Sequence, residues 1–483
     1  MRFVAQTTLI AVTILLIASL LPNPAVIAAE TDSNTIIPEL PNAQKPFVAD
    51  KITIDKVWPG HRVGFFLMTA DQRQYAAYYN ADRQMTVAMR KLGDEQFTKF
   101  HPQTPRKEPP HGGSAPSATL GWDSHNSVTM ALDRDGYIHL SGNMHGNNLT
   151  YFRSTEPYDI STLVLVEQMT GELEDRVTYP KFLTLPDGRL VFGYRHGGSG
   201  NGNNIYNVYD TDTKTWSRLL DTPLHDGQDK NNAYYLGPKV GPDGWFHMSW
   251  VWRQTPDCST NHDLSYAKSP DLVNWYTAAG KEVELPITLE TPGVIVDPIP
   301  PQGGIINGSG KVGFDHLGRA VLAYHKFDDD GNTQAYTARY EDNEWAIDKL
   351  TDWDHRWYFE GYGTLPGVDV RLGEVKPLGV DTGLMTLNYR HVKYGSGTWL
   401  LDEQLEKIGT VDLPRRFPPQ VTKVTSKFPG MTRRISIDKN SSRTDNTKYV
   451  MAWESLGSRR DKPLNGPLPD PSKLTLYEIK YKD

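Results

Sequence analysis

The sequence predicts an all-β protein, and within that class a β-propeller of about seven blades. Three observations carry this reading. After the N-terminal apolar run no long amphipathic helical period occurs, and short β-rich segments punctuated by Gly, Asn, Asp and Pro fill the chain. Four segments share one form, a turn ending in glycine followed by an alternating strand: DRDGYIHLSGNMH (133–145), LPDGRLVFGYRHG (185–197), GPDGWFHMSWVWR (241–253) and DHLGRAVLAYHKF (315–327). Their turn glycines, Gly136, Gly188, Gly244 and Gly318, stand 52, 56 and 74 residues apart, the spacing of sheets of unequal length repeated round an axis.

Each element has a local reason. Glycine before a strand suits a tight hairpin because it tolerates positive φ. SPDLVNW (269–275) is a degraded Asp-box, a propeller turn motif that keeps its Ser, Asp and Trp and lacks its Gly. PQTPRKEPPHGGSAPSA (102–118) is turn-rich and reads as a long surface loop. A β-sandwich or β-helix is the alternative that the same strand signals could serve.

The first 29 residues have the layout of a cleaved secretory signal: Arg2, the apolar LIAVTILLIASLL, then NPAVIAAE ending in small residues. The apolar run is short for a membrane span. The expected organisation is therefore a leader over 1–29 and a single propeller domain over 30–483, secreted to the periplasm or the exterior, with no membrane partner. The chain of 483 residues has a formal charge of −7, and removing Arg2, the leader's one charge, makes it −8. With no basic run, nucleic acid is not an expected partner. An anionic substrate would need a local cluster of positive groups.

Cys258 is the only cysteine, which excludes an internal disulfide. His247, Cys258 and His262 form H-x10-C-x3-H, ligand types suited to tetrahedral zinc, and His325 could supply a fourth ligand, with His316 and His355 as alternatives. A buried free thiol among unrelated histidines remains the other reading. FDDDGN (327–332) lacks the distal Glu of a calcium loop and reads as a charged hairpin turn.

The stretch GWDSHNSVTMALDRDGYIHLSGNMHGNN (121–148) places three histidines among four asparagines. If ligands sit at one end of a propeller axis, residues leaving its inner strands converge there. His145 and Arg253 lie nine residues after their turn glycines, and Arg195 and His325 seven after theirs. The motifs SHNS, GNMHGNN, VTYPKF and FGYRHGGSGNGNN resemble the propeller-type polysaccharide lyases that cut ulvan, a sulfated, uronate-containing algal polysaccharide, and in particular the shorter family of them. The resemblance implies β-elimination at a uronate, an anionic polysaccharide as partner, and a structural zinc beside the inner strands. It places His125, His145, Tyr179 and Arg195 at the active-site positions. A further tyrosine is implied in NNAYYLGP, as Tyr234 or Tyr235, with Asn126 and His196 also expected at the substrate.

The residue types suit that chemistry. Elimination removes a weakly acidic proton at C5 and expels the oxygen at C4, so the carboxylate must be neutralised; a guanidinium such as Arg195 can hold it through two hydrogen bonds. His125 can take a proton near neutral pH, and Tyr179 starts near pKa 10 as an acid; the order of the two stays open. His139, inside an alternating strand, reads as structural. The competing functions are a sialidase-like glycoside hydrolase, for which no arginine triad stands out, and a non-catalytic glycan-binding propeller.

Overall fold

Antiparallel pairing of short strands dominates the computed structural model, which describes residues 45–110, 114–440 and 447–482. The expected leader lies outside the described residues. The strands form six sheets, one of nine strands and the others of four or five. The nine-stranded sheet consists of two antiparallel runs, 177–218 and 232–297, joined by a single parallel pair, Gly202 with Asn232, and extended by the short strand His145–Asn147. The other runs span 66–100, 128–165, 311–349 and 370–410. The last, 432–482, takes Lys45–Val57 as its fourth strand. The N-terminal strand thus closes the sheet made by the C-terminus, with Val57 opposite Ser472 and Lys45 opposite Lys482. The described strands belong to one compact unit, and no described helix is long and apolar enough to cross a membrane.

The four turn motifs do the job their sequence suggests. Gly136, Gly188, Gly244 and Gly318 all have φ between 79° and 86°. The aspartate of each turn caps the backbone: Asp133 accepts from Asp135 and Tyr137, Asp187 from Arg189, Asp243 from Trp245, and Asp315 from Leu317 and Arg319. One expectation needs correcting. The strands after these glycines are the second of each run; the first strands, such as 66–70, 128–132 and 177–184, lie against those of neighbouring runs. Arg195, Arg253 and His325 therefore stand on second strands, and His145 just beyond one.

The degraded Asp-box still makes its turn. Ser269 Oγ accepts from the Leu272 amide at 2.8 Å, Asp271 Oδ1 from Val273 and Asn274, and the fully buried Trp275 donates from Nε1 to the Leu272 carbonyl. The left-handed position falls on Leu272, φ 65°, whose side chain is 0% exposed. Two effects compete in Leu272→Gly. Relief of left-handed strain returns about 1–2 kcal/mol, whereas deleting a buried leucine costs about 2–5 kcal/mol. Burial wins, so we expect a net loss of about 2 kcal/mol in denaturant unfolding; a gain in stability would show that strain dominates.

Both faces of the sheets are covered by neighbours, which accounts for the weak hydrophobic alternation in many strands. Every residue of Phe246–Arg253 is buried, and Trp250 and Trp252 pack in the core rather than at a sugar. His139, fully buried, is spent on Tyr151 and Asp133. The 102–118 loop is tied down by Asn143, whose Nδ2 donates to the carbonyls of Ser117 and Thr119. Asp328 caps the FDDDGN hairpin, accepting from the Asn332 amide.

Buried histidines give the fold an acid limit. Burial pulls His61, His325 and His391 down to about 4 and His225 to about 3. Below the ordinary value of 6.5 the unfolded chain takes up protons that these folded imidazoles refuse, so stability rises with pH across this window. The melting temperature is expected to fall steadily from pH 6.5 to 4, and a flat profile there would contradict neutral burial.

Candidate active site

Antiparallel pairing brings the start of each first strand and the end of each second strand to the same end of its sheet. The candidate residues collect at such ends. The loop 121–127 entering the run 128–165 carries Asp123 and His125. The Asp123 carboxylate accepts from the His125 amide at 2.8 Å, fixing a tight turn, and then holds two imidazoles, His125 Nδ1 at 2.7 Å and His145 Nδ1 at 2.6 Å. The rings of His125 and His145 lie 4.1 Å apart. His145 stays in place because its short strand pairs with the neighbouring run, its own amide donating to Asn147 and that of Gly146 to Thr178 Oγ1.

This arrangement fixes tautomers. Burial raises the Asp123 carboxyl, but its hydrogen bonds from His125 and His145 outweigh that and hold it well below the usual carboxylate range. Burial also lowers His145, an effect Asp123 offsets only in part, so His145 is neutral at pH 7. With Nδ1 of each ring turned to Asp123, Nε2 is the atom left to face outward. His125 Nε2 lies 3.3 Å from Thr364 Oγ1. Thr364 is in turn held by Asp461, which also accepts from the Ser124 amide.

Tyr179 stands on the strand Val177–Thr184 at a bulge, between the pairs Thr178–Arg195 and Lys181–Gly193. Its φ is 58°, immediately before Pro180, where an extended backbone is the ordinary choice. Such a conformation costs about 1–3 kcal/mol and turns the ring out of the ladder toward the two histidines, 5.8 Å from His125 and 6.3 Å from His145. Opposite Thr178, Arg195 is 2% exposed; Nη2 donates to Thr178 Oγ1 at 3.0 Å and Nη1 to the Tyr234 hydroxyl at 3.4 Å. Among the described residues no carboxylate lies within ion-pair distance of it, and its Nε has no partner. The glycine-rich segment after Arg195 makes room for this: a Cβ on Gly202 would sit 2.9 Å from Arg195 Cδ and 2.7 Å from Asn232 Oδ1.

Tyr234 completes the group. Its hydroxyl meets Ser199 Oγ at 2.6 Å, and its ring lies 5.8 Å from the Arg195 guanidinium and 5.1 Å from that of Arg253. Burial raises Tyr234, yet Arg195, Arg253 and the Ser199 hydroxyl outweigh it and the phenol falls below its usual value. Tyr179 goes the other way: burial and the neighbouring Tyr234 raise it, and the two arginines offset only part. Tyr179 is the phenol that keeps its proton. His125, His145, Tyr179, Tyr234 and Arg253 line one cavity of about 790 Å³, and Arg195 borders it.

Other expected residues make further contacts. The Tyr235 ring stacks 6.5 Å from His225, and the residue also lines the cavity shared by Tyr179, Arg195 and Tyr234. His196 Nε2 pairs with Asp175 at 2.9 Å, and Asp175 lines a cavity that His145 and Arg195 also border. Asn126 is buried at the back of the turn, its carbonyl accepting from the Tyr79 hydroxyl, while its Oδ1 has no partner among the described residues. Asp123, Thr364, Ser199 and Asp461 were missed. Of these, only Asp123 left a local signal, an acid two residues before a site histidine.

Antiparallel pairing sets His247 opposite Lys268 and His262 opposite Trp252, near opposite ends of their strands and about 17 Å apart. His247 contacts Tyr266 and Asp243, His262 contacts Asp263 and Asn231, and His325 Nδ1 meets the Gly304 carbonyl. Cys258 is buried in a short 3-10 turn. Among the described residues the one group of three or more potential ligands close enough to hold a metal is Asp123, His125 and His145.

A fold of antiparallel sheets with a histidine–tyrosine–arginine cluster at the strand ends places the protein among the propellers built from BNR-type repeats. Residues 73–353, more than half of the chain, match the BNR repeat-containing family, and the chain belongs to it. It is 42% identical over 74 residues to the long-isoform ulvan lyase of Pseudoalteromonas sp. (strain PLSV), a match covering 14% of this chain and 7% of that one. To the short-isoform ulvan lyase of Alteromonas sp. (strain LOR) it is 30% identical over 138 residues, a quarter of each chain. The matches thus span a quarter or less of these relatives' lengths. Among solved structures, the polysaccharide lyase Uly1 superimposes with TM-score 0.56 at 14% identity, covering 90% of this chain and 99% of that one. A PL25 ulvan lyase bound to -[GlcA(1-4)Rha3S]- gives 0.56 at 15% identity, covering 88% and 95%. These likenesses show a β-propeller fold.

Proposed function

We propose that this protein is a secreted polysaccharide lyase, built on seven blades, that cleaves ulvan by β-elimination at the uronate. One observation carries the chemistry: a buried arginine without a carboxylate partner among the described residues stands beside a protonated tyrosine and a pair of aspartate-held imidazoles. An unpaired buried cation is costly unless an anion arrives to meet it. Arg195, with Arg253 and the Tyr234 hydroxyl nearby, receives the uronate carboxylate and stabilises the charge that grows on it as C5 loses its proton. A neutral imidazole of the His125–His145 pair takes that proton at Nε2, and Asp123 stabilises the imidazolium formed. Tyr179, whose phenol stays protonated, delivers a proton to the departing C4 oxygen. The C4–O bond breaks, a C4–C5 double bond forms, and the polymer leaves an unsaturated uronyl end. The named activities of the relatives and the oligosaccharide bound to the structural neighbour support the substrate class.

The test is ultraviolet absorbance of the conjugated double bond during incubation with ulvan, with alginate, pectin and a glycosaminoglycan in parallel. A rise with ulvan alone is expected. New reducing ends without absorbance would mean hydrolysis and overturn the lyase.

A further inference from the structure

The catalytic groups use only part of the ring. His125, His145, Tyr179, Arg195, Tyr234 and Arg253 come from the runs spanning 128–297 and the loop entering them. Each of the four remaining runs contributes a cation at or just before its first strand: Lys311 on Lys311–Phe314, Arg371 on Val370–Leu372, Arg434 on Thr432–Ile437, and Arg62 ahead of Phe66–Ala70. Lys311, Arg371 and Arg62 line the same cavity as the histidine pair. Among the described residues, none of the four has a carboxylate within ion-pair distance. Arg434 is anchored to Ser455 Oγ and the Leu456 carbonyl. Glu374, near Lys311, is already committed to Lys239 at 2.8 Å.

These cations feel one another. Arg434 is pulled down to about 10 by burial and then by Arg62 and Arg371; Arg371, exposed on one side, is lowered by partial desolvation and then by Arg62 and Arg390. Lys311 is lowered by burial; Glu374 opposes this, and Arg371 and Lys239 add to it. Holding like charges together destabilises the folded chain unless a ligand draws on them. A single uronate is already provided for by Arg195 and Arg253, so this arc is left to meet a second anion. A guanidinium cluster converging from several strands suits the several oxygens of a tetrahedral oxyanion.

We propose that Arg62, Lys311 and Arg371, which line the cavity together, form a binding site for the sulfate ester carried by the sugar next to the uronate. The proposal rests on the lyase reading for the identity of the polymer. It makes the enzyme selective for sulfated over unsulfated chains through residues that take no part in proton transfer.

The experiment compares kcat/KM on ulvan and on chemically desulfated ulvan for the wild type, Arg62→Gln, Arg371→Gln and Arg371→Lys. Both arginines are solvent-exposed, and melting temperatures verify the fold. The preference for sulfated polymer is expected to fall roughly tenfold in each Gln variant, through KM, and to stay within about threefold in Arg371→Lys. An unchanged preference overturns the site. If the wild type forms no unsaturated product from either polymer, the lyase reading fails. Calorimetric titration with sulfated and desulfated oligosaccharides then decides the arc alone: selectivity lost in the Gln variants supports it, and no selectivity in the wild type overturns it. Inorganic sulfate that stabilises only the wild type, with polymer preference unchanged, would assign the arc to a free anion and overturn the ester.

Discussion

Arg195→Met is expected to lower kcat/KM for unsaturated-product formation by about 10³-fold or more, without lowering the stability of the fold. The two halves come from one feature. At 2% exposure and without a carboxylate partner among the described residues, the guanidinium is held for an anion that is absent from the free protein. Removing a preorganised donor from a site of developing charge typically costs about 10²–10³ in rate, and here the lost group also carries the full positive charge. Replacing a buried ion by an apolar side chain of similar volume is commonly neutral or stabilising. Methionine fills much of the same space, while Thr178 Oγ1 keeps its hydrogen bond from Gly146. Parallel measurement of turnover and denaturant unfolding decides the matter. Near-normal turnover would remove the carboxylate role, and a large stability loss would make Arg195 a structural residue.

Asp123→Asn should be almost as damaging, by about 10²–10⁴ in kcat, although the shape of the turn is kept. An amide cannot accept from both Nδ1 atoms, so at least one imidazole loses the tautomer that leaves Nε2 free, and the imidazolium formed on proton transfer loses its counter-charge. The pH profile supplies a second reading. Burial already sets His145 below the ordinary histidine value, and Asp123 raises it. Without the carboxylate, His145 protonates only at still lower pH. The acid limb of the residual activity is therefore expected to move to lower pH, while the plateau falls. A shift to higher pH would show that Asp123 does not stabilise the imidazolium.

Much of the fold was legible in the sequence because hairpin chemistry is local. The Asp-Gly turns announce themselves within four or five residues, and Ser269, Asp271 and Trp275 kept their roles although the glycine of the motif is gone. The position of the strands in each sheet was less legible: a turn glycine marks a boundary without saying which side is nearer the axis. His125, His145, Tyr179 and Arg195, far apart in sequence, lie close together at the strand ends. Tyr234 could not be told from Tyr235, and both line one cavity. Thr364 and Asp461 reach His125 from the far end of the chain, across loops whose meeting no local pattern encodes. His247 and His262 part for a comparable reason: close spacing in sequence across an antiparallel hairpin can mean opposite ends in space.

The parallel pair between Gly202 and Asn232 has a mechanical meaning. It ties the runs 177–218 and 232–297 into one hydrogen-bonded sheet, and the strand carrying His145 is paired to its other edge. Tyr179, Arg195, Tyr234, Arg253 and His145 therefore ride on a single stiff plate, and their separations cannot change without breaking strand pairing. The facing wall meets the His125 loop through the Thr364 and Asp461 side chains, which bond His125 Nε2 and the Ser124 amide. The cavity thus has one wall set by strand pairing and a facing wall set by loop contacts, so the two sides are fixed by different kinds of bond.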